Sequence, residues 1–241
     1  MGFSLGNTKL GIEISNTSIP PGDTCNGKTK TCWEECFGFD GHYNSQHVKA
    51  AHQRNWEVTK QEDFTKIAVQ QLRAMRTDLT RIHAVGDFYK CDPPRAPDAY
   101  IKDWLTVVSN MRDMHFFAYT RQWRIPELQK ALIKLSHQPN FTLWLSCDRD
   151  TGRPPRWSKC KWAYMSVDDR DSPRYKVQIV FRAGSRRVPR KKDDNGNLIC
   201  PYEQGIKRQV KITCASCGIC FNQARQYPPK LSLPVLVPFA G

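Results

Sequence analysis

The sequence predicts an α/β protein, a partial or irregular parallel β/α barrel with a C-terminal cysteine-rich appendix. Three observations lead there. Helical and strand periodicities alternate through the first two thirds of the chain, the strands end in polar loops, and after residue 181 the rhythm gives way to a basic stretch and then to closely spaced cysteines. The expected organisation is a barrel-like domain over 1–181 that contains a first cysteine group, a basic loop or arm over 182–199, and an appendix with a Pro-rich tail over 200–241 packed on the barrel.

In chain order, Thr59-Lys-Gln-Glu62 reads as a capping box, followed by Phe64, Ile67, Ala68, Leu72 and Met75 on one helical face. Thr80-Arg-Ile-His-Ala-Val85, partly β-branched and closed by Gly86-Asp87, reads as a strand. Ile101, Trp104, Leu105, Val108 and Met111 mark the next helix, ahead of the strand His115–Thr120. Pro126 suits the first turn of a helix carrying Leu128, Ala131, Leu132 and Leu135, and Phe141–Ser146 is the strand after it. Trp162–Ser166 and Val177–Phe181 are further strands. Helices between strands imply parallel crossovers, and in such a sheet reactive groups gather at the carboxyl ends of the strands. Those ends are Gly86-Asp87, Tyr119-Thr120-Arg121, Ser146-Cys147-Asp148 and Ser166-Val-Asp168. His83, Tyr119, Arg121 and Asp148 are the polar candidates there, although a lone strand histidine is more often a satisfied core group than a catalyst.

Composition bounds the function. With 241 residues, 39% of them hydrophobic, the chain can bury an ordinary core without cross-links. The opening segment has none of the features of a secretory leader, and no run approaches the roughly 18 apolar residues of a membrane span. The expected location is cytoplasmic, with no membrane association, where thiols stay reduced and clustered cysteines more often bind metal than pair. Net charge is +14, and residues 149–192 hold 14 basic against 4 acidic residues. Such a local excess points to a polyanion, and nucleic acid is the expected partner, with Arg186, Arg187, Arg190, Lys191 and Lys192 as the contact residues. Trp157, inside a basic stretch, is a candidate for stacking on a base. The bland alternative is a solvated face.

The ten cysteines form two groups and three singles. Cys214-x₂-Cys217-x₂-Cys220, with Cys200 fourteen residues upstream, resembles the C-x₂-C-x₂-C run of bacterial iron–sulfur ferredoxins and predicts a [4Fe–4S] appendix; a four-thiolate zinc site is the alternative. The opening group, Cys25-x₆-Cys32-x₃-Cys36, offers three thiolates, enough to hold three corners of a second [4Fe–4S] cluster and leave one iron open, as radical S-adenosylmethionine enzymes do. Their common CxxxCxxC spacing is not met, and Cys91 or Cys147 as a fourth ligand would close the site.

Asn7-Thr-Lys9-Leu-Gly11, Thr24-Cys25, Cys32-x₃-Cys36, His83-Ala-Val-Gly86-Asp87-Phe-Tyr89, Ala118-Tyr-Thr120 and Cys200-Pro…Cys214-x₂-Cys217-x₂-Cys220 together resemble the phage gene product eighty-eight family, over most of the chain and in order. That family occurs in phages and mobile elements and is itself similar to radical-SAM-like, TIM-barrel-like iron–sulfur proteins. The resemblance implies two iron–sulfur positions, one on Cys25, Cys32 and Cys36 and one on Cys200, Cys214, Cys217 and Cys220. Gly86 and Asp87 then stand where radical-SAM enzymes bind the methionine ammonium of the cofactor. Three functions fit: a radical-SAM-like enzyme acting on nucleic acid or a nucleotide, a nucleic-acid-binding iron–sulfur protein without that chemistry, or a zinc-braced interaction protein.

Overall fold

A computed structural model describes residues 2–184, 188–204 and 212–221. The elements are β1 (Ser4–Leu5), β2 (Ser15–Asn16), α1 (Lys30–Glu34), α2 (Gln46–Thr59), α3 (Phe64–Ala74), β3 (Leu79–Ile82), α4 (Ala99–Asn110), β4 (His115–Thr120), α5 (Pro126–Ser136), β5 (Phe141–Cys147), β6 (Cys160–Ser166), β7 (Ile179–Arg182) and α6 (Cys214–Cys217). The strands form one seven-stranded sheet in the order β1 to β7, parallel throughout except for the antiparallel pair β1–β2. Beyond β7 the pairing continues through a parallel bridge between Val180 and Ile199. Among the described residues no pairing joins this edge to β1 or β2.

The alternation of side chains splits the core in two. Ile82, Phe116, Ala118, Leu143 and Leu145 face Ala68 and Leu72 of α3, Tyr100 and Trp104 of α4, and Leu128 and Leu132 of α5. Leu79, Phe117, Trp144, Ala163 and Ile179 face the other way, onto Leu10, Ile14, Cys200, Cys220 and Phe221. Helices therefore line one face, and the two ends of the chain line the other. Between β5 and β6, and again between β6 and β7, no helix forms. Extended segments cross instead, and their Trp157, Tyr175 and Val177 take the helices' place against Trp162 and Tyr164.

Several expectations need correcting. Thr59 caps nothing: it closes α2, and its hydroxyl donates to the Trp56 carbonyl at 2.6 Å and meets the Tyr89 hydroxyl at 2.8 Å. Asp63 is the residue before α3. The helix α2 has no apolar stripe to betray it, because its buried residues are His52, Asn55 and Thr59. Asn55 explains one of them, donating to the Ser18 carbonyl at 2.9 Å in the segment beside β2. β1 and β2 are two residues each, too short for any period to register.

The junction between α4 and β4 depends on one buried amide. Asn140 donates to the carbonyls of Val108, Met111 and Met114 at 2.9–3.0 Å, adding to the backbone amides that the first two already accept and bracing the helix end in the core. Asn140→Ala should therefore cost about 1–3 kcal/mol of stability. A urea titration with an unchanged slope and a lowered midpoint is the expected result; an unmoved midpoint would mean that water serves those carbonyls equally well.

Candidate metal and cofactor cavity

A cavity of about 730 Å³ opens over the sheet face opposite α3, α4 and α5, and its wall sorts the cysteines. Cys25, Cys32, Cys36, Cys200, Cys214, Cys217 and Cys220 all line it, whereas Cys91, Cys147 and Cys160 do not. All ten are free thiols. Cys91 and Cys147 belong to the helix-side core, where the Cys147 thiol donates to the Ala163 carbonyl at 3.3 Å. Neither lines the cavity with the first group.

The loop bearing the first group is laid across the carboxyl ends of β3, β4 and β5. Gln122 donates to the Thr24 carbonyl at 3.0 Å and Arg124 to the Gly27 carbonyl at 2.9 Å. The Thr29 hydroxyl donates to Asp148 at 2.7 Å and starts α1 by accepting from the Cys32 amide, while Asp150 accepts from the Thr31 amide at 2.9 Å. Gly86 lies directly beneath, at φ +87°; a Cβ there would stand 2.5 Å from Ile19 Cγ1 and 2.7 Å from the Ile19 carbonyl oxygen. Its lack of a side chain lets the loop sit down on the strand end. Asp87 ties the layers together, accepting from the amides of Phe88 at 2.7 Å and Arg121 at 2.8 Å. Burial pushes its carboxyl up to about 6 against the pull of those bonds.

The second group is seated by the opening motif. The Asn7 side-chain oxygen accepts from the amides of Lys9 and Leu10 at 3.0 and 2.9 Å, folding a turn whose outward carbonyls receive α6. Cys214 donates to the Lys9 carbonyl at 2.7 Å and Ala215 to the Leu10 carbonyl at 3.0 Å. A capping box between Thr213 and Ser216 starts α6, and left-handed Gly218 ends it. Trp144 Nε1 then fixes the Cys220 carbonyl at 2.9 Å.

Each group has a cation beside it. Burial alone would weaken the Arg121 cation, yet Cys32 and Asp148 outweigh this and hold it above its ordinary range; Arg121 pairs with Asp148 at 3.0 Å, both side chains buried. Lys9, paired with Glu203, and Arg81, whose guanidinium lies over the Tyr119 ring, stand beside Cys214. The Tyr119 hydroxyl is buried and faces the Cys220 thiol. Burial raises Cys25 and Cys200 to about 12 and Cys220 to about 11. Such thiols keep their protons until a cation arrives among them, and the four-thiol set flanked by Lys9 and Arg81 suits an anionic thiolate cluster. Among the described residues no group of three or more His, Cys, Asp or Glu is placed to hold a metal ion.

The remaining candidates scatter. His83, at φ +56°, borders the cavity but turns its ring into the helix layer, where Nε2 meets the Tyr100 hydroxyl at 2.8 Å. Burial lowers its pKa to about 3, so it is a neutral core group. Asp148 is structural, holding Thr29 and Arg121 and accepting from the amides of Asp150 and Thr151. Arg186 and Arg187 lie outside the described residues. Arg190 is bound within the fold, to Asp194 at 2.7 Å and to the Asp169 carbonyl; Lys191 and Lys192 are exposed on a hairpin against β7. Sequence reasoning missed Lys9 and Arg81. Arg81 had a signal, a charge in mid-strand on the same face as Leu79, which marks a cation pointing into the protein.

The Gene 88 protein of Mycobacterium phage D29 is 26% identical over 233 residues, spanning 90% of this chain and 86% of the relative. That of Mycobacterium phage L5 is 25% identical over 239 residues, spanning 91% and 87%. No solved structure matches. The sequence profile of the Gene product 88 family matches residues 1–223, which takes in both cysteine groups and every element that holds them, and the chain belongs to that family.

Proposed function

We propose that this is a cytoplasmic iron–sulfur protein of radical-SAM-like kind, built on a partial β/α barrel, that holds two [4Fe–4S] clusters in one cavity and acts on or binds nucleic acid. The observation that carries the reading is the sorting of cysteines: the seven with cluster-like spacing line one cavity and the three without it do not. In this reading Cys25, Cys32 and Cys36 hold one cluster, and Cys200, Cys214, Cys217 and Cys220 hold the other. With Cys91 and Cys147 in the helix-side core, the first cluster keeps an iron free for S-adenosylmethionine. Bound there, the clusters would supply one-electron chemistry. The chain's own residues set the conditions for it. Arg121 balances charge at Cys32, Lys9 and Arg81 do so at Cys214, and Phe117, Ala163 and Ile179 exclude water beneath.

One observation favours a second reading, a nucleic-acid-binding iron–sulfur protein without cofactor chemistry. Both Asp87 oxygens already accept backbone amides, and Ile19 fills the space over Gly86. A methionine ammonium would have to share the remaining lone pairs of Asp87.

Protein purified anaerobically is expected to contain iron and acid-labile sulfide for close to two four-iron clusters. Cys32→Ser should lose about half of the iron, while Cys91→Ser and Cys147→Ser, folded by circular dichroism, keep it all. Stoichiometric zinc without sulfide would replace this reading by the zinc-braced one. Iron loss in folded Cys91→Ser or Cys147→Ser would close the first site and end the enzyme reading.

Adding S-adenosylmethionine to the reduced protein should alter the electron paramagnetic resonance of the three-cysteine cluster, and Cys32→Ser should abolish the change. An unaltered spectrum in the parent would favour the second reading.

A further inference from the structure

The two crossovers without helices give the outer side of β5–β7 a composition unlike the rest of the molecule. Between residues 149 and 176 there are eight Lys and Arg and four Asp and Glu. All four acids are turned to internal use: Asp150 accepts from the Thr31 amide, Asp168 from those of Arg170 and Asp171, Asp169 pairs with Arg182, and Asp171 accepts from Tyr164 and the Val167 amide. Seven of the cations, all but Lys161, are exposed. The crossovers are also fastened to each other. Tyr175 donates to the Gly152 carbonyl at 2.7 Å, Trp162 packs edge-on against Tyr175 and donates to the Pro155 carbonyl at 3.2 Å, and Arg153 lies over the Trp162 ring. Arg153 rests on the Trp162 ring, and Arg156 and Arg174 are exposed next to Pro155 and Tyr175, so these contacts bring the backbone of all three together.

We propose that this face, and not the 182–199 arm, is the docking surface for a nucleic-acid phosphate backbone. The proposal deepens the nucleic-acid part of the reading above and rests on it, without depending on the clusters. Exposed cations in twofold excess over the acids, on crossovers joined to each other, favour a polyanion, and each contact releases condensed counterions. The first crossover also reaches the cavity: Arg149 donates to the Thr31 hydroxyl at 3.2 Å, beside Cys32 on the cavity wall. A chain lying along the face ends at the cysteine loop.

The test is fluorescence anisotropy with full-length protein, a labelled oligothymidylate and a duplex of arbitrary sequence, over a range of salt concentrations. Three proteins are compared: the parent, the combined variant Arg153→Ser, Arg156→Ser, Lys159→Ser and Arg174→Ser, and the arm variant with Arg186, Arg187, Arg190, Lys191 and Lys192 all changed to Ser. The crossover variant should bind at least about tenfold more weakly at low salt, with a log–log salt slope flatter by about 3, and alike for all sequences. Its counterpart with Lys in place of the three Arg should bind nearly as the parent does, which separates charge from folding. If the arm variant loses binding while the crossover variant keeps it, the proposal fails and the nucleic-acid reading stands. If the parent binds neither probe, both fail. Capture by phosphatidylserine vesicles with the same dependence on the crossover cations, and no binding of nucleic acid, would overturn the proposal in favour of a lipid surface.

Discussion

The order of the strands governs this molecule. When parallel strands are laid down one after another in a single direction, every crossover passes on the same side, because the right-handed rule leaves no choice. Helices α3, α4 and α5 thus cover one face, and nothing in the β/α rhythm covers the other. That second face, with Leu79, Phe117, Trp144, Ala163 and Ile179, has to be closed by chain from outside the rhythm. The N-terminal turn at Asn7–Gly11 and the cysteine helix α6 do this together, and the cavity is the space they leave over the strand ends. Cysteines reach a common chamber as a result of sheet topology.

Where the hydrophobic period was strong, it was sufficient. The strand His115–Thr120 and the helix beginning at Pro126 were legible because their side chains meet water on one side and the core on the other, or the core on both. α2 was not, since the residues it buries most deeply, His52, Asn55 and Thr59, are polar, and Trp56 and Val58 alone make no helical stripe. Thr59 shows the same blindness in reverse: a hydroxyl followed by Glu62 looks like a cap, but Tyr89, thirty residues away, claims it. Local pattern cannot see a partner at that distance.

The site was legible in a similar, partial way. Spacing separated seven cysteines from three, and the cavity wall makes the same separation. Spacing carried no information on the nearness of the two groups, because that is set by contacts such as Lys9 with Glu203, nearly two hundred residues apart. Counting located the basic charge along the chain but carried no information on which of those side chains the fold engages. Arg190 is tied to Asp194 and to the Asp169 carbonyl, while exposed Arg153, Arg156 and Arg174 stand in crossovers whose lack of helices only the three-dimensional fold reveals.

The seat of α6 on residues 9 and 10 also fixes an order of events in synthesis. Its two amide bonds join chain segments more than two hundred residues apart, so loop closure across nearly the whole fold must precede them. While the ribosome is still making the strands, the face that will carry the cavity is bare and α6 does not yet exist. Residues 7–11 must wait, folded or not, until residue 221 has emerged. The set of Cys200, Cys214, Cys217 and Cys220 is therefore complete only after translation of that segment, and a chain stalled before Cys214 would lack the helix that helps cover this apolar sheet face.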